Sequence, residues 1–151
     1  MNVLKLLKKD HSEVESLFTK FDRLARTAHD KRGELVTRVR RRLQVHSQAE
    51  QEILYPALKA LNGEGRRLVS QATKEHREIE ELLAQVSRLK PSDRNFDEKF
   101  ETLIENVDHH LQEEEGEIFQ FAEKNCSEQQ LEDLGRKVEE RKRILDQEMA
   151  A

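Results

Sequence analysis

Two segments of this chain place a histidine and a glutamate four residues apart on what is otherwise the apolar stripe of a helix. The first, Val45 to Pro56, carries His46 and Glu50; the second, Asp108 to Phe119, carries His110 and Glu114. At about 100° per residue, positions i and i+4 lie roughly 40° apart, one turn above the other. Around the first pair, Val36, Val39, Leu43, His46, Glu50, Ile53 and Ala57 alternate spacings of three and four. Around the second, Phe96, Phe100, Leu103, Val107, His110, Glu114 and Phe121 form the matching stripe. An imidazole and a carboxylate therefore point into each core. A buried carboxylate without a partner is strongly penalised or forced neutral, so the chain must supply a counterpart, and a metal ion is the natural one.

The two segments belong to a larger duplication. Lys9-Asp10-His11-Ser12-Glu13-Val14 matches Lys74-Glu75-His76-Arg77-Glu78-Ile79 nearly position by position. Each half thus offers a lone histidine, His11 or His76, followed by a His-x-x-x-Glu pair. Repeated helical hairpins imply a bundle with a pseudo-two-fold axis, and a site on that axis receives one ligand set from each half. Phe119 follows Glu114 at the spacing with which Tyr55 follows Glu50.

The length of 151 residues suits one four-helix bundle, and two prolines, five glycines and 38% charged residues favour an all-α chain. A net charge of −4 gives no electrostatic reason for a nucleic-acid or anionic-membrane partner. The run Arg38, Arg40, Arg41, Arg42 reads as a solvated helix face. One cysteine, Cys126, excludes an intrachain disulfide, and no stretch approaches the roughly 20 apolar residues of a membrane span. The expected location is cytoplasmic, and the expected assembly a monomer or weak homodimer.

Helices are expected over about 3–25, 34–61, 66–90 and 96–124, with Asn2 as the first N-cap and Gly33 in the first connection. Pro56 should kink or end part of the second helix. The bundle is expected over 1–125, and 126–151 should form a fifth helix, opened by a capping box at Ser127 to Gln130, which packs on the bundle or mediates association.

Two equivalent ligand sets argue for two metals. Four imidazoles, two bridging glutamates and an oxo or hydroxo bridge fill about ten of roughly twelve six-coordinate positions, leaving about one open on each ion. Imidazole and carboxylate without thiolate suit iron or manganese better than a soft metal; zinc is the other option, although a structural zinc site needs only four ligands. The Glu-x-x-His motif of ferritin-type di-metal bundles is absent: Lys8, Arg26, Leu43, Thr73, Asn106 and Val107 stand three before the six histidines.

In the lone-histidine helices and the two His-x-x-x-Glu helices, the chain resembles the hemerythrin-like HHE cation-binding family over about residues 3–124. The resemblance implies an antiparallel up-and-down four-helix bundle around a non-haem di-iron centre. By position, the iron ligands are His11, His46, Glu50, His76, His110 and Glu114. Oxygen-carrying hemerythrins have a further histidine one turn along the third helix, where this chain has Glu80. The resemblance then favours a reactive centre over a reversible carrier, with dioxygen, peroxide or nitric oxide as the small ligand. A non-enzymatic iron or oxygen sensor, or an iron-storage or repair module, is the alternative.

Other residues carry weaker expectations. Glu15 and Glu80 brace a ligand or face solvent. His109 lies about 100° off the stripe and faces outward, unless a rotated helix brings in His109 and Glu113 instead. Tyr55 falls about 180° from His46 and packs away from the pair, unless a kink at Pro56 turns it inward.

Overall fold

The computed structural model describes residues 1–150, which form five helices and, among the described residues, no strand. Helix α1 spans Val3–Arg23. Helix α2 runs as His29–Ala49, passes through a π-helical turn at Glu50–Leu54 and continues as Tyr55–Lys59. Helix α3 spans Gly63–Ser87. Helix α4 runs as Phe96–Glu113, takes a second π-helical turn at Glu114–Ile118 and ends as Phe119–Asn125. Helix α5 spans Glu128–Ala150. The hairpins α1/α2 and α3/α4 form the four-helix bundle, and α5 lies along α1 and α2. No helix is long and apolar enough to cross a membrane.

The helix starts follow their caps. Asn2 Oδ1 accepts the Lys5 N–H at 2.9 Å, and Asn62 Oδ1 accepts the Gly65 N–H at 2.9 Å. At α5, Ser127 Oγ accepts the Gln130 N–H while Gln130 Oε1 accepts the Ser127 N–H, a complete capping box. Helix α2 departs from expectation by opening at His29, which puts Gly33 inside the helix, just past its first turn. Tertiary contact explains the difference. Arg32, 5% exposed, bonds Asp97 of α4 and the Arg26 carbonyl, and its guanidinium lies 4.6 Å from the Phe21 ring centroid. The turn that carries Arg32 is recruited by those contacts despite its glycine.

The apolar core falls into two parts. One gathers Leu4, Leu7, Leu54, Leu58, Leu68, Ile118 and Phe119 with Leu131 and Val138 of α5. The other gathers Phe18, Phe21, Phe96 and Phe100 with Val39, Leu83, Leu103 and Val107. Along α1, His11 separates the residues of the first part from those of the second. A polar layer thus crosses the middle of the bundle.

The π-helical turns shift the buried face by one residue beyond each glutamate. After Glu50 the buried residues are Leu54, Tyr55 and Leu58, whereas the α-helical stripe pointed to Ile53 and Ala57. After Glu114 they are Ile118, Phe119 and Ala122, in place of Phe121. The Tyr55 N–H bonds the Glu50 carbonyl and the Phe119 N–H the Glu114 carbonyl, both five residues back. One extra residue in the turn moves Tyr55 from about 180° to about 80° from His46. The wide turn, and not a proline kink, brings Tyr55 inward; Pro56 opens the segment after it, and the helix runs on to Lys59.

Helix α5 approaches the start of α1 at backbone contact. A Cβ built on Gly135 would lie 2.2 Å from the Met1 carbonyl oxygen, so only glycine permits this approach. Further along α5, Arg141 bonds Glu52 at 2.6 Å and Lys142 bonds Asp10.

Candidate metal centre

The polar layer consists of His11 from α1, His46 and Glu50 from α2, His76 from α3, and His110 and Glu114 from α4. All six are buried, the two glutamates completely. His46 and Glu50 occupy the last α-helical turn and the first π-helical residue of α2, and His110 and Glu114 the same places in α4. The duplication of the sequence becomes a duplication in space.

The ring nitrogens converge. His11 Nε2 lies 3.3 Å from His46 Nε2, and His76 Nε2 lies 3.0 Å from His110 Nε2. Glu114 Oε1 is 3.0 Å from His11 Nε2 and 3.8 Å from His46 Nε2, while its Oε2 faces His110 Nε2 at 3.6 Å. Glu50 Oε1 lies 3.1 Å from His46 Nε2 and 3.3 Å from His76 Nε2. Two donor sets follow: His11, His46, Glu50 and Glu114, and Glu50, His76, His110 and Glu114. Within each, one atom from every residue lies within 4.8 Å of the others, and both carboxylates are common to the two sets.

A cation fits this arrangement. Glu50 Oε2 is buried without a hydrogen-bond partner, an uncompensated acceptor at the point where the two sets meet. Paired imidazole nitrogens with buried carboxylates and no thiolate are hard and borderline donors suited to first-row divalent or trivalent ions. The cluster can hold a metal.

The outer nitrogens of the four histidines are fixed by residues that the sequence reading missed. Asp10 Oδ2 accepts from His46 Nδ1 at 3.0 Å, and Glu75 Oε1 accepts from His110 Nδ1 at 2.6 Å. These carboxylates immediately precede the lone histidines and reach across to the neighbouring helix. Glu115 Oε2 lies 2.8 Å from His11 Nδ1, and Gln51 Nε2 lies 2.9 Å from His76 Nδ1. These two immediately follow the glutamates. The three carboxylates accept from Nδ1 and direct Nε2 of His11, His46 and His110 to the centre, and Gln51 sets the orientation of the His76 ring. Their signal lay in the repeat: an acid before each lone histidine, and a polar side chain after each paired glutamate.

The halves differ in one inner position. Tyr55 Oη donates to Glu114 Oε2 and lies 3.2 Å from His76 Nε2. Its counterpart Phe119 stacks on His11, with centroids 5.6 Å apart and planes at 11°. Burial, followed by the charges of Glu114 and Glu50, holds the Tyr55 hydroxyl well above the usual phenol value. The remaining candidates lie outside. Glu15 and Glu80 are exposed, and His109 is turned to solvent beside Glu113 at 3.2 Å.

Without an ion, protonated imidazoles balance the carboxylates. Burial opposes the charge on His46 most strongly, yet the Glu50 charge and bonds to Asp10, Glu114 and Glu50 raise it well above the ordinary imidazole value. His110 is raised against burial by Glu75, Glu114 and Glu50. Glu114 is held well below the carboxylate range: burial opposes this, but bonds from His11 and His46 prevail. The histidine contribution to ion-free stability is full below the unfolded value of about 6.5 and is lost as pH rises through the higher folded values. The Glu114 contribution has the opposite sense, present above about 4.3 and lost as pH falls through its lower folded value. A cation requires neutral imidazole, so it competes with these protons. Metal uptake near neutral pH is expected to release protons, His46 and His110 being the sources whose affinity for a proton is raised. Retention should fall on acidification. An indicator dye measures the release, and elemental analysis across pH the retention.

The model of the hemerythrin HHE cation binding domain matches residues 2–122. A DNA nickase of Nostoc sp. is 30% identical over 132 residues, 87% of this chain and 36% of that protein. An uncharacterized hemerythrin-like protein of Schizosaccharomyces pombe is 31% identical over 86 residues, 56% of this chain and 42% of that protein. The chain therefore spans less than half the length of these curated relatives. The crystal structure of a hemerythrin HHE cation binding domain-containing protein from Mycobacterium kansasii superposes with a TM-score of 0.85 at 23% identity, covering 96% of this chain and 87% of that one. At that identity the likeness speaks for the fold.

Proposed function

The chain belongs to the hemerythrin HHE cation-binding family, and from that premise we propose that it is a non-haem di-iron protein that binds or reacts with dioxygen, peroxide or nitric oxide. His11, His46, Glu50, His76, His110 and Glu114 would hold the two irons and their oxo or hydroxo bridge. The observation that carries this reading is the convergence of four imidazole Nε2 atoms on two fully buried carboxylates, one oxygen of which has no other partner. When bound, such a pair of ions supplies redox and Lewis-acid chemistry toward small oxygen and nitrogen ligands.

The protein's own residues shape what reaches that pair. Phe119 walls the His11 side with an apolar ring, while Tyr55 offers a retained proton on the His76 side. Asp10, Glu75, Gln51 and Glu115 fix the four rings from outside. Replacement of Tyr55 by phenylalanine is expected to leave the metal content unchanged. Any peroxide reaction that needs a proton should slow by roughly 10² or more, and nitric oxide binding, which needs none, should keep its rate. Equal effects on both ligands would remove Tyr55 from the proton's path.

Anaerobic iron reconstitution with elemental analysis, followed by stopped-flow mixing with dioxygen, peroxide and nitric oxide, tests the proposal. Two irons per chain and a ligand-dependent spectrum are expected; absence of bound iron would overturn it. A second reading, a non-enzymatic iron or oxygen sensor, draws support from the chain of bonds from Lys142 of α5 through Asp10 to His46. Slow oxidation without turnover, accompanied by altered protection of α5, would favour it.

A further inference from the structure

A second, cation-lined feature opens beside the Tyr55 side of the centre. The exposed face of α3 carries Arg66, Ser70, Lys74 and Arg77 in one stripe about 16 Å long, with Arg67 beside it and Lys59 at the end of α2 across from it. These residues line a groove of about 620 Å³ that includes no carboxylate. Only Arg67 has an ion-pair partner, Glu64; among the described residues, Lys59, Arg66, Lys74 and Arg77 have none within 4.0 Å. On a chain of net charge −4, four unpaired cations around one groove are a local reversal of sign.

The groove adjoins a second recess. It shares Lys59, Val69 and Thr73 with a smaller cavity of about 310 Å³, whose other walls are Gln51, Tyr55 and Pro56. Gln51 and Tyr55 both touch His76. A clustered field of one sign, set in a cleft with low-dielectric walls, concentrates ions of the opposite sign and raises their arrival rate by about 10 to 10³.

We infer that this groove is an electropositive entrance for small inorganic anions, which reach the centre past Tyr55 and Gln51. The groove is long and shallow, so it gathers and steers; it has no enclosed pocket that would hold a larger ligand.

Tyr55 makes a direct test available, because it is the only tyrosine and the chain has no tryptophan. In metal-free protein, quenching of its emission by iodide should exceed quenching by caesium by roughly threefold or more at low salt, and the ratio should collapse at about 1 M salt. The variant R66Q/K74Q/R77Q should bring the ratio close to one, while R38Q/R40Q/R41Q, with the same change of net charge elsewhere, should preserve it. A parental ratio near one, or equal effects of the two variants, would overturn the inference. In iron-loaded protein, which rests on the di-iron reading above, the groove variant should slow azide association about tenfold and leave neutral nitric oxide within about twofold. Equal slowing of both ligands would also overturn it. Failure to load iron counts against the di-iron reading alone, since the iodide measurement needs no metal.

Discussion

On the two-metal reading proposed above, removal of the cations is expected to lower the thermal midpoint by roughly 15 °C or more. A ligand present at a thousandfold excess over its dissociation constant stabilises by about 4 kcal/mol per site. In a chain of this size, each kcal/mol is worth about 2–4 °C. Two cations then account for the expected drop. What remains after chelation explains its direction: paired imidazole nitrogens at 3.3 and 3.0 Å, and a buried carboxylate oxygen with nothing to bond. Protonation of His46 and His110 relieves part of this strain, so the loss should be smaller at pH 6 than at pH 8. Calorimetric melts of loaded and chelated protein at both values measure it. Midpoints within 2 °C of each other would show that the cluster is satisfied by hydrogen bonds alone.

Gly135→Ala should produce a large effect of its own, a destabilisation of about 3 kcal/mol. The new methyl group would meet the Met1 carbonyl oxygen at 2.2 Å and the Val3 nitrogen at 3.0 Å, all backbone atoms that no rotamer change can clear. Either α5 lifts or the first turn of α1 shifts. Both movements pull on Lys142, whose ammonium bonds Asp10, and Asp10 in turn holds His46. A substitution remote from the centre is therefore expected to weaken retention of one metal more than the other. Gly116→Ala is the contrast, since nothing lies within 4 Å of its added Cβ. Helix propensity should make that change neutral or stabilising by up to about 1 kcal/mol. Thermal melts, limited proteolysis of α5 and metal stoichiometry distinguish the two.

The stripes and the duplication made most of the fold legible, because helical periodicity needs only the order of apolar residues. His46 with Glu50 and His110 with Glu114 were visible as polar intrusions into that order, and the structure buries all four. The two π-helical turns were not visible. A widened turn uses the same residue types as an α-helical one, and it rotates everything after it by one position; hence Ile53, Ala57 and Phe121 were expected where Leu54, Leu58 and Ala122 are buried. Tyr55 was misplaced for the same reason. The recurrence of an aromatic residue five positions after each glutamate was the available clue, since five residues is the span of a π-helical hydrogen bond. Asp10, Glu75, Gln51 and Glu115 were overlooked because each acts on a neighbouring helix, and helical spacing says nothing about which side chain reaches across. Arg32 is a similar case, buried by Phe21 of the preceding helix and by Phe96 and Asp97, which lie far away in the chain.

The fifth helix rests on the first hairpin, where its lysine is tied to Asp10, while the equivalent Glu75 meets Gln71 of its own helix. Two seats built from duplicated parts have thus ceased to be interchangeable. On the two-metal reading, such unequal seats would fill in sequence, would stop at half occupancy when metal is scarce, and could each take a different element. Its composition in a cell would then record which metals were abundant while it was being filled.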